Sequence, residues 1–131
     1  METANFADKI DLAIKSGKQK VYFDLMGTDK FRCGLNVYMP GSGTDGLHYH
    51  NTDETFTVVE GKGEIVHRDG SRTAIEKGMV LLIPAKSYYD IKNNSDGVLA
   101  VLGNRGEGFG GATVYLDPEF NNKKRGSAAR I

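Results

Sequence analysis

Residues 48–61 read HYHNTDETFTVVEG, and the stretch divides into a short strand, a bend and a longer strand. On a strand, side chains two apart project from one face, so His48 and His50 point the same way and their imidazoles can converge. Asn51, Thr52 and Asp53 make the bend. The strand that follows sets Glu54, Phe56 and Val58 on one face and Thr55 and Thr57 on the other, so Glu54 shares an apolar, inward face. A lone buried carboxylate costs several kcal/mol unless it takes up a proton or meets a cation. A divalent metal held by His48, His50 and Glu54 meets that requirement, and three such ligands leave coordination positions open for water, substrate or dioxygen. The competing account makes the histidines surface groups at a loop edge and gives Glu54 a side-chain cation.

The same two-residue period runs outward in both directions. Val21, Phe23 and Leu25 alternate with Tyr22 and Asp24, and Cys33, Leu35, Val37 and Met39 alternate with Arg32, Asn36 and Tyr38. Turn signals recur at Met26–Asp29, Pro40–Gly43, Glu60–Gly63, Arg68–Ser71, Lys77-Gly78 and Asn93–Gly97. Many short strands between Gly-rich turns predict an all-β sandwich or barrel. One helix is expected before it, over Asn5–Ser16, where Phe6, Ile10, Ala13 and Ile14 share a face and Gly17 is the stop. The organisation expected is an N-terminal helix or arm over 1–19, a barrel over 20–117 and a polar, basic tail over 118–131.

Composition excludes several function classes. A chain of 131 residues forms one domain, and 17 basic against 17 acidic residues give no electrostatic footprint for nucleic acid or an anionic membrane. No apolar run approaches the roughly 18 residues of a membrane span. A single cysteine excludes an intrachain disulfide and a cysteine zinc site. With an N-terminus lacking the order of a secretion signal, a cytoplasmic location is expected. Cys33, in its alternating run, reads as a small buried apolar residue rather than a nucleophile. The glycines of 106–111 lack the strand–loop–helix setting of a phosphate loop. Lys123, Lys124, Arg125 and Arg130 read as a solvated end or an arm packing on a second subunit.

The spacing His48, His50, Glu54, Gly61 resembles the first motif of the cupins, Gly-x5-His-x-His-x3–4-Glu-x6-Gly, with only the first glycine out of register. The second motif, Gly-x5-Pro-x-Gly-x2-His-x3-Asn, is similar to Gly78, Pro84, Lys86, Tyr89 and Asn93, with Lys86 in place of the turn glycine and Tyr89 in place of the fourth metal-ligating histidine. The resemblance covers about residues 32–102. It implies a double-stranded β-helix of jelly-roll type and one divalent transition metal (Fe, Mn, Ni, Zn or Cu) at His48, His50 and Glu54. It also implies a small-molecule substrate and a homodimer, for which the Phe6/Ile10/Ile14 face and the Tyr115–Phe120 region offer apolar surface. Oxygenase and lyase or isomerase chemistry both fit such a site, with oxygenase chemistry placed slightly ahead; a barrel that only binds or senses a small ligand is the rival reading.

Three further side chains bear on the fourth corner. Tyr89 is expected as a phenolate ligand, a general acid or base, or a pocket-lining aromatic. His67 shares a face with Ile65 and either completes the site, shuttles protons or is a hydrogen-bonded core histidine. Tyr88 serves only if the strand register is shifted. Parity nominates Phe56, Val37, Met39, Ile83, Tyr38 and Phe109 as pocket lining, and Lys86 as a rim cation for a substrate carboxylate or a solvated surface lysine.

Overall fold

The computed structural model describes residues 1–108, 111–119 and 127–131. Helix α1 (Phe6–Ser16) is followed by β1 (Lys20–Gly27), β2 (Phe31–Tyr38), β3 (His48–His50), β4 (Glu54–Glu60), β5 (Lys62–His67), β6 (Arg72–Glu76), β7 (Val80–Ile83), β8 (Tyr89–Lys92), β9 (Leu99–Gly106) and β10 (Thr113–Tyr115). The strands form two antiparallel five-stranded sheets, β1-β2-β9-β4-β7 and β10-β3-β8-β5-β6. The expected all-β barrel with one N-terminal helix is what the chain forms.

Helix α1 starts where the Asn5 side chain accepts hydrogen bonds from the amides of Ala7 and Asp8 at 2.9 and 3.2 Å. It stops at Gly17, whose left-handed backbone (φ 71°) lets its amide reach the Ile14 carbonyl. Ile10 and Ala13 face inward from the helix onto Val21, Phe23, Leu35, Val37 and Ala100. These belong to the outer face of the first sheet, so β2 and β9 are covered on both sides. A second apolar cluster, with Tyr38, Phe56, Val58, Ile65, Ile75, Tyr89, Ile91, Leu99 and Val101, fills the space between the sheets.

This arrangement corrects part of the expected pocket lining. Val37 is buried beneath α1 and Met39 packs against the same cluster, on the side of the sheet away from the barrel interior. Alternation fixes which residues share a face, but with a helix outside the sheet an apolar face no longer identifies the inside. Cys33, half-buried and in phase with Leu35, shares that outer face, and burial raises its thiol above its ordinary pKa, consistent with an inert small side chain.

Residues 127–131 lie along β1, with the Ala129 carbonyl accepting from the Tyr22 amide at 2.9 Å and the Ala129 amide donating to Lys20 at 3.0 Å. Arg130, expected in a solvated end or an arm on another subunit, therefore packs on its own barrel. Phe109, Phe120, Lys123, Lys124 and Arg125 lie outside the described residues. Among the described residues no helix is long and apolar enough to cross a membrane.

Candidate functional site

The inward face of each central strand changes character along its length. On β9 it runs Leu99, Val101, Gly103, Arg105; on β4, Val58, Phe56, Glu54; on β2, Tyr38, Asn36, Gly34, Arg32. The barrel is thus apolar at one end and charged at the other. There a cavity of about 410 Å³ opens, lined by residues that include His48, His50, Glu54, Tyr89, Arg32 and Arg105.

His48 and His50 stand on one face of β3, both buried, as their two-residue spacing requires. Each ring is held by a backbone carbonyl: Nδ1 of His48 donates to Gly46 at 2.8 Å and Nδ1 of His50 to Ala112 at 3.2 Å. A carbonyl only accepts, so these contacts place the proton on Nδ1 and leave the Nε2 lone pairs available. Burial holds both imidazoles neutral by pulling their pKa values down, that of His50 to about 3 with help from Arg105.

Glu54 opens β4 and is 7% exposed. Burial pushes its carboxyl above the ordinary carboxylate range, while Arg105 and Tyr89 work in the opposite direction. The Tyr89 hydroxyl donates to Glu54 Oε1 at 2.8 Å and lies 3.1 Å from His50 Nε2, and the latter two atoms are 3.8 Å apart. Its ring packs on those of His48 at 4.3 Å and Phe56 at 5.7 Å between centroids. Desolvation and the nearby Glu54 raise the Tyr89 pKa well above its usual value, which keeps the phenol protonated. One phenolic proton thus faces two acceptors.

The donor set suits a divalent transition metal in its chemistry: two neutral ε-nitrogens with pinned rings, a carboxylate and a phenol. Among the described residues, however, no three His, Cys, Asp or Glu side chains are drawn close enough to enclose an ion. Instead, Glu54 Oε2 lies 3.7 Å from Nη1 of Arg105 on the neighbouring strand. A guanidinium thus stands beside the buried Glu54 without hydrogen-bonding it.

The remaining expected residues separate. Tyr38 and Phe56 line the cavity as expected. Ile83 packs on the inter-sheet core rather than on the cavity. His67 is directly opposite Tyr89 across β5 and β8, yet at this open end of the sheet its Nε2 bonds the Thr73 hydroxyl at 2.6 Å, and it does not reach the cavity. Tyr88 faces away from Tyr89 and packs on Tyr49, as strand parity demands. Lys86 is exposed and outside the cavity lining. Its contribution comes from the backbone: at φ 62° it keeps the left-handed turn usually given to glycine, and its amide donates to the His50 carbonyl at 2.7 Å.

Arg32, Arg105, Tyr22, Tyr115 and Arg130 are cavity residues that the sequence reading did not nominate. Arg105 carried a usable signal, being in phase with Leu99 and Val101 through Gly103. Arg130 carried none, because its position depends on the chain returning to β1. Arg32 bonds the Tyr22 hydroxyl, and Arg32 and Arg130 lie over the Tyr22 ring at 5.1 and 4.5 Å from its centroid.

Known structures share this barrel. TT1209 from Thermus thermophilus superposes with a TM-score of 0.69 at 18% identity, covering 82% of this chain and 98% of that one. The polyketide cyclase RemF from Streptomyces resistomycificus gives 0.66 at 20% identity, over 80% of this chain and 78% of its own. The DMSP lyase DddQ from Ruegeria pomeroyi gives 0.67 at 16% identity, with 77% of this chain matched to 53% of that one. At these identities the likeness is one of fold. None of the curated proteins compared matches the sequence. The cupin domain family model matches residues 34–103, more than half of the chain. That span runs from β2 to β9 and carries both histidines, Glu54 and Tyr89, so the chain belongs to the cupin family.

Proposed function

We propose that this protein is a metal-dependent enzyme acting on a small organic molecule, with one divalent transition metal held by His48, His50 and Glu54. The observation that supports it is an imbalance of protons and acceptors: the Nε2 atoms of two neutral, pinned imidazoles and the carboxylate of Glu54 accompany a single Tyr89 proton. A cation removes that imbalance. Such a metal supplies Lewis-acid or dioxygen chemistry, and oxygenase and lyase or isomerase reactions both fit the set. Tyr89 holds a proton at its hydroxyl within reach of Glu54 and His50, the place from which it can be passed to or taken from a substrate. Phe56, Tyr38 and Ile91 give the substrate an apolar wall. The neighbouring cyclase and lyase illustrate how widely this fold is used, and the choice among reactions belongs to the site.

Elemental analysis by mass spectrometry of protein purified without added metal or chelator, beside the His48→Ala/His50→Ala variant, tests this reading. The expected result is near-stoichiometric Fe, Mn, Ni, Zn or Cu that the variant lacks. A wild type that stays empty and takes up none of these on titration overturns it. The alternative, a non-catalytic cupin that binds or senses a ligand, is favoured by the Arg105 guanidinium beside Glu54, and an empty wild type is the result it expects.

A further inference from the structure

Building on the reading of this cavity as the reaction site, we infer that its substrate is a small organic carboxylate whose oxygens are received by Arg105 together with Arg32. Arg105 is 5% exposed, and its Nε has no hydrogen-bond partner among the described residues. Its nearest carboxylate oxygen, on Glu54, is 3.7 Å away, beyond hydrogen-bond reach. A buried guanidinium with an unsatisfied donor is costly, and an anion in the cavity removes that cost.

Arg32 and Arg105 are direct partners across β2 and β9 on the inward face. Like charges placed opposite each other on neighbouring strands repel, and burial sharpens the repulsion. A bound oxyanion turns that repulsion into attraction for both groups. Among the described residues lining the cavity, Lys20, Arg32, Arg105 and Arg130 outnumber the carboxylates Asp45 and Glu54. Of these, Lys20 pairs with Asp45, Arg130 with Asp24, and Arg32 bonds the Tyr22 hydroxyl.

The class of anion follows from shape and charge. The planar guanidinium fork matches a carboxylate's two oxygens. Glu54 beside Arg105 repels a phosphate dianion more strongly than a monoanion. Phe56, Tyr38 and Ile91, which also line the cavity, suit an organic body rather than a free inorganic ion.

Isothermal titration calorimetry with benzoate, benzamide and inorganic phosphate tests the assignment on wild type as purified, on wild type stripped with chelator, and on Arg105→Met and Arg105→Lys. Benzoate is expected to bind both wild-type preparations, with benzamide and the Arg105→Met variant weaker by about tenfold or more, as for a lost charge-assisted pair. Arg105→Lys is expected to fall between. Benzamide binding as well as benzoate, phosphate binding more tightly than benzoate, or Arg105→Met binding like wild type overturns the assignment. Benzoate binding that vanishes on stripping while persisting in Arg105→Met also overturns it, by making a metal the receptor. Should Arg105→Met fail to fold, the benzoate-to-benzamide ratio in stripped wild type decides. Metal content, measured separately, can fail without touching this result.

Discussion

Lys86 sits at φ 62°, a left-handed conformation that costs an L-residue about 1 to 2 kcal/mol. Replacing it with glycine removes that strain and adds about 0.5 to 1 kcal/mol of chain entropy cost. Lys86→Gly is therefore expected to stabilise the protein by up to about 1 kcal/mol in urea unfolding. An unchanged or lower midpoint contradicts the strain argument. Gly61 is the opposite case: at φ 77° a Cβ there would lie 1.9 Å from the Val98 carbonyl oxygen, which belongs to the backbone and cannot step aside. Gly61→Ala should cost about 3 kcal/mol or more, read by the same unfolding experiment. Tyr89→Phe deletes the only hydroxyl donating to Glu54 among the described residues and is expected to cost about 1 to 3 kcal/mol. For these residues the motif spacing was legible, because Gly61 is dictated by a local turn and Glu54 by its distance from His50. What motif spacing left open was the occupant of the position where a fourth histidine is usual, since Tyr89 takes its meaning from Glu54, 35 residues away in sequence.

Among the elements, β2 is the one whose pattern misleads when read alone. Its outward residues Leu35 and Val37 are fully buried under α1, while its inward residues include Arg32 and Gly34. A strand with a helix on one side and a polar cavity on the other inverts the usual link between apolar and inside. Truncating Leu35 to alanine should cost about 2 to 5 kcal/mol through loss of packing beneath α1. The returning C-terminal residues depend on Asp45, which accepts from the Ser127 amide at 2.8 Å and from Lys20. Burial opposes ionisation of Asp45, but the bonds from Lys20 and Ser127 prevail and bring its pKa down to about 2. A carboxyl depressed in the folded state stabilises above its unfolded pKa and loses that contribution as pH falls towards the folded value. The docking of residues 127–131 is expected to weaken between about pH 4 and pH 2. Asp45→Asn should loosen it at neutral pH, by on the order of 1 kcal/mol given solvent screening, seen as about fivefold faster exchange of the Ala129 amide.

Across the whole chain, two apolar clusters are separated by one sheet, with β2 and β9 contributing to both. Losing either cluster exposes a face of the same strands, so helix and barrel should unfold together. Far-ultraviolet circular dichroism and tyrosine fluorescence are expected to report one coincident transition, and separated midpoints would show α1 melting alone. Local pattern was enough for the all-β class, the helix with its stop at Gly17, and the common inward placement of His48, His50 and Glu54, because period, turn chemistry and motif spacing act over a few residues. Long-range packing was needed to settle which face of β2 is inside, that Arg105 is the side-chain cation beside Glu54, that His67 turns to Thr73, and that Arg130 returns to Tyr22. Each of those depends on strands brought together across long stretches of chain, where burial and the pairing of charge are set by neighbours that no local pattern names.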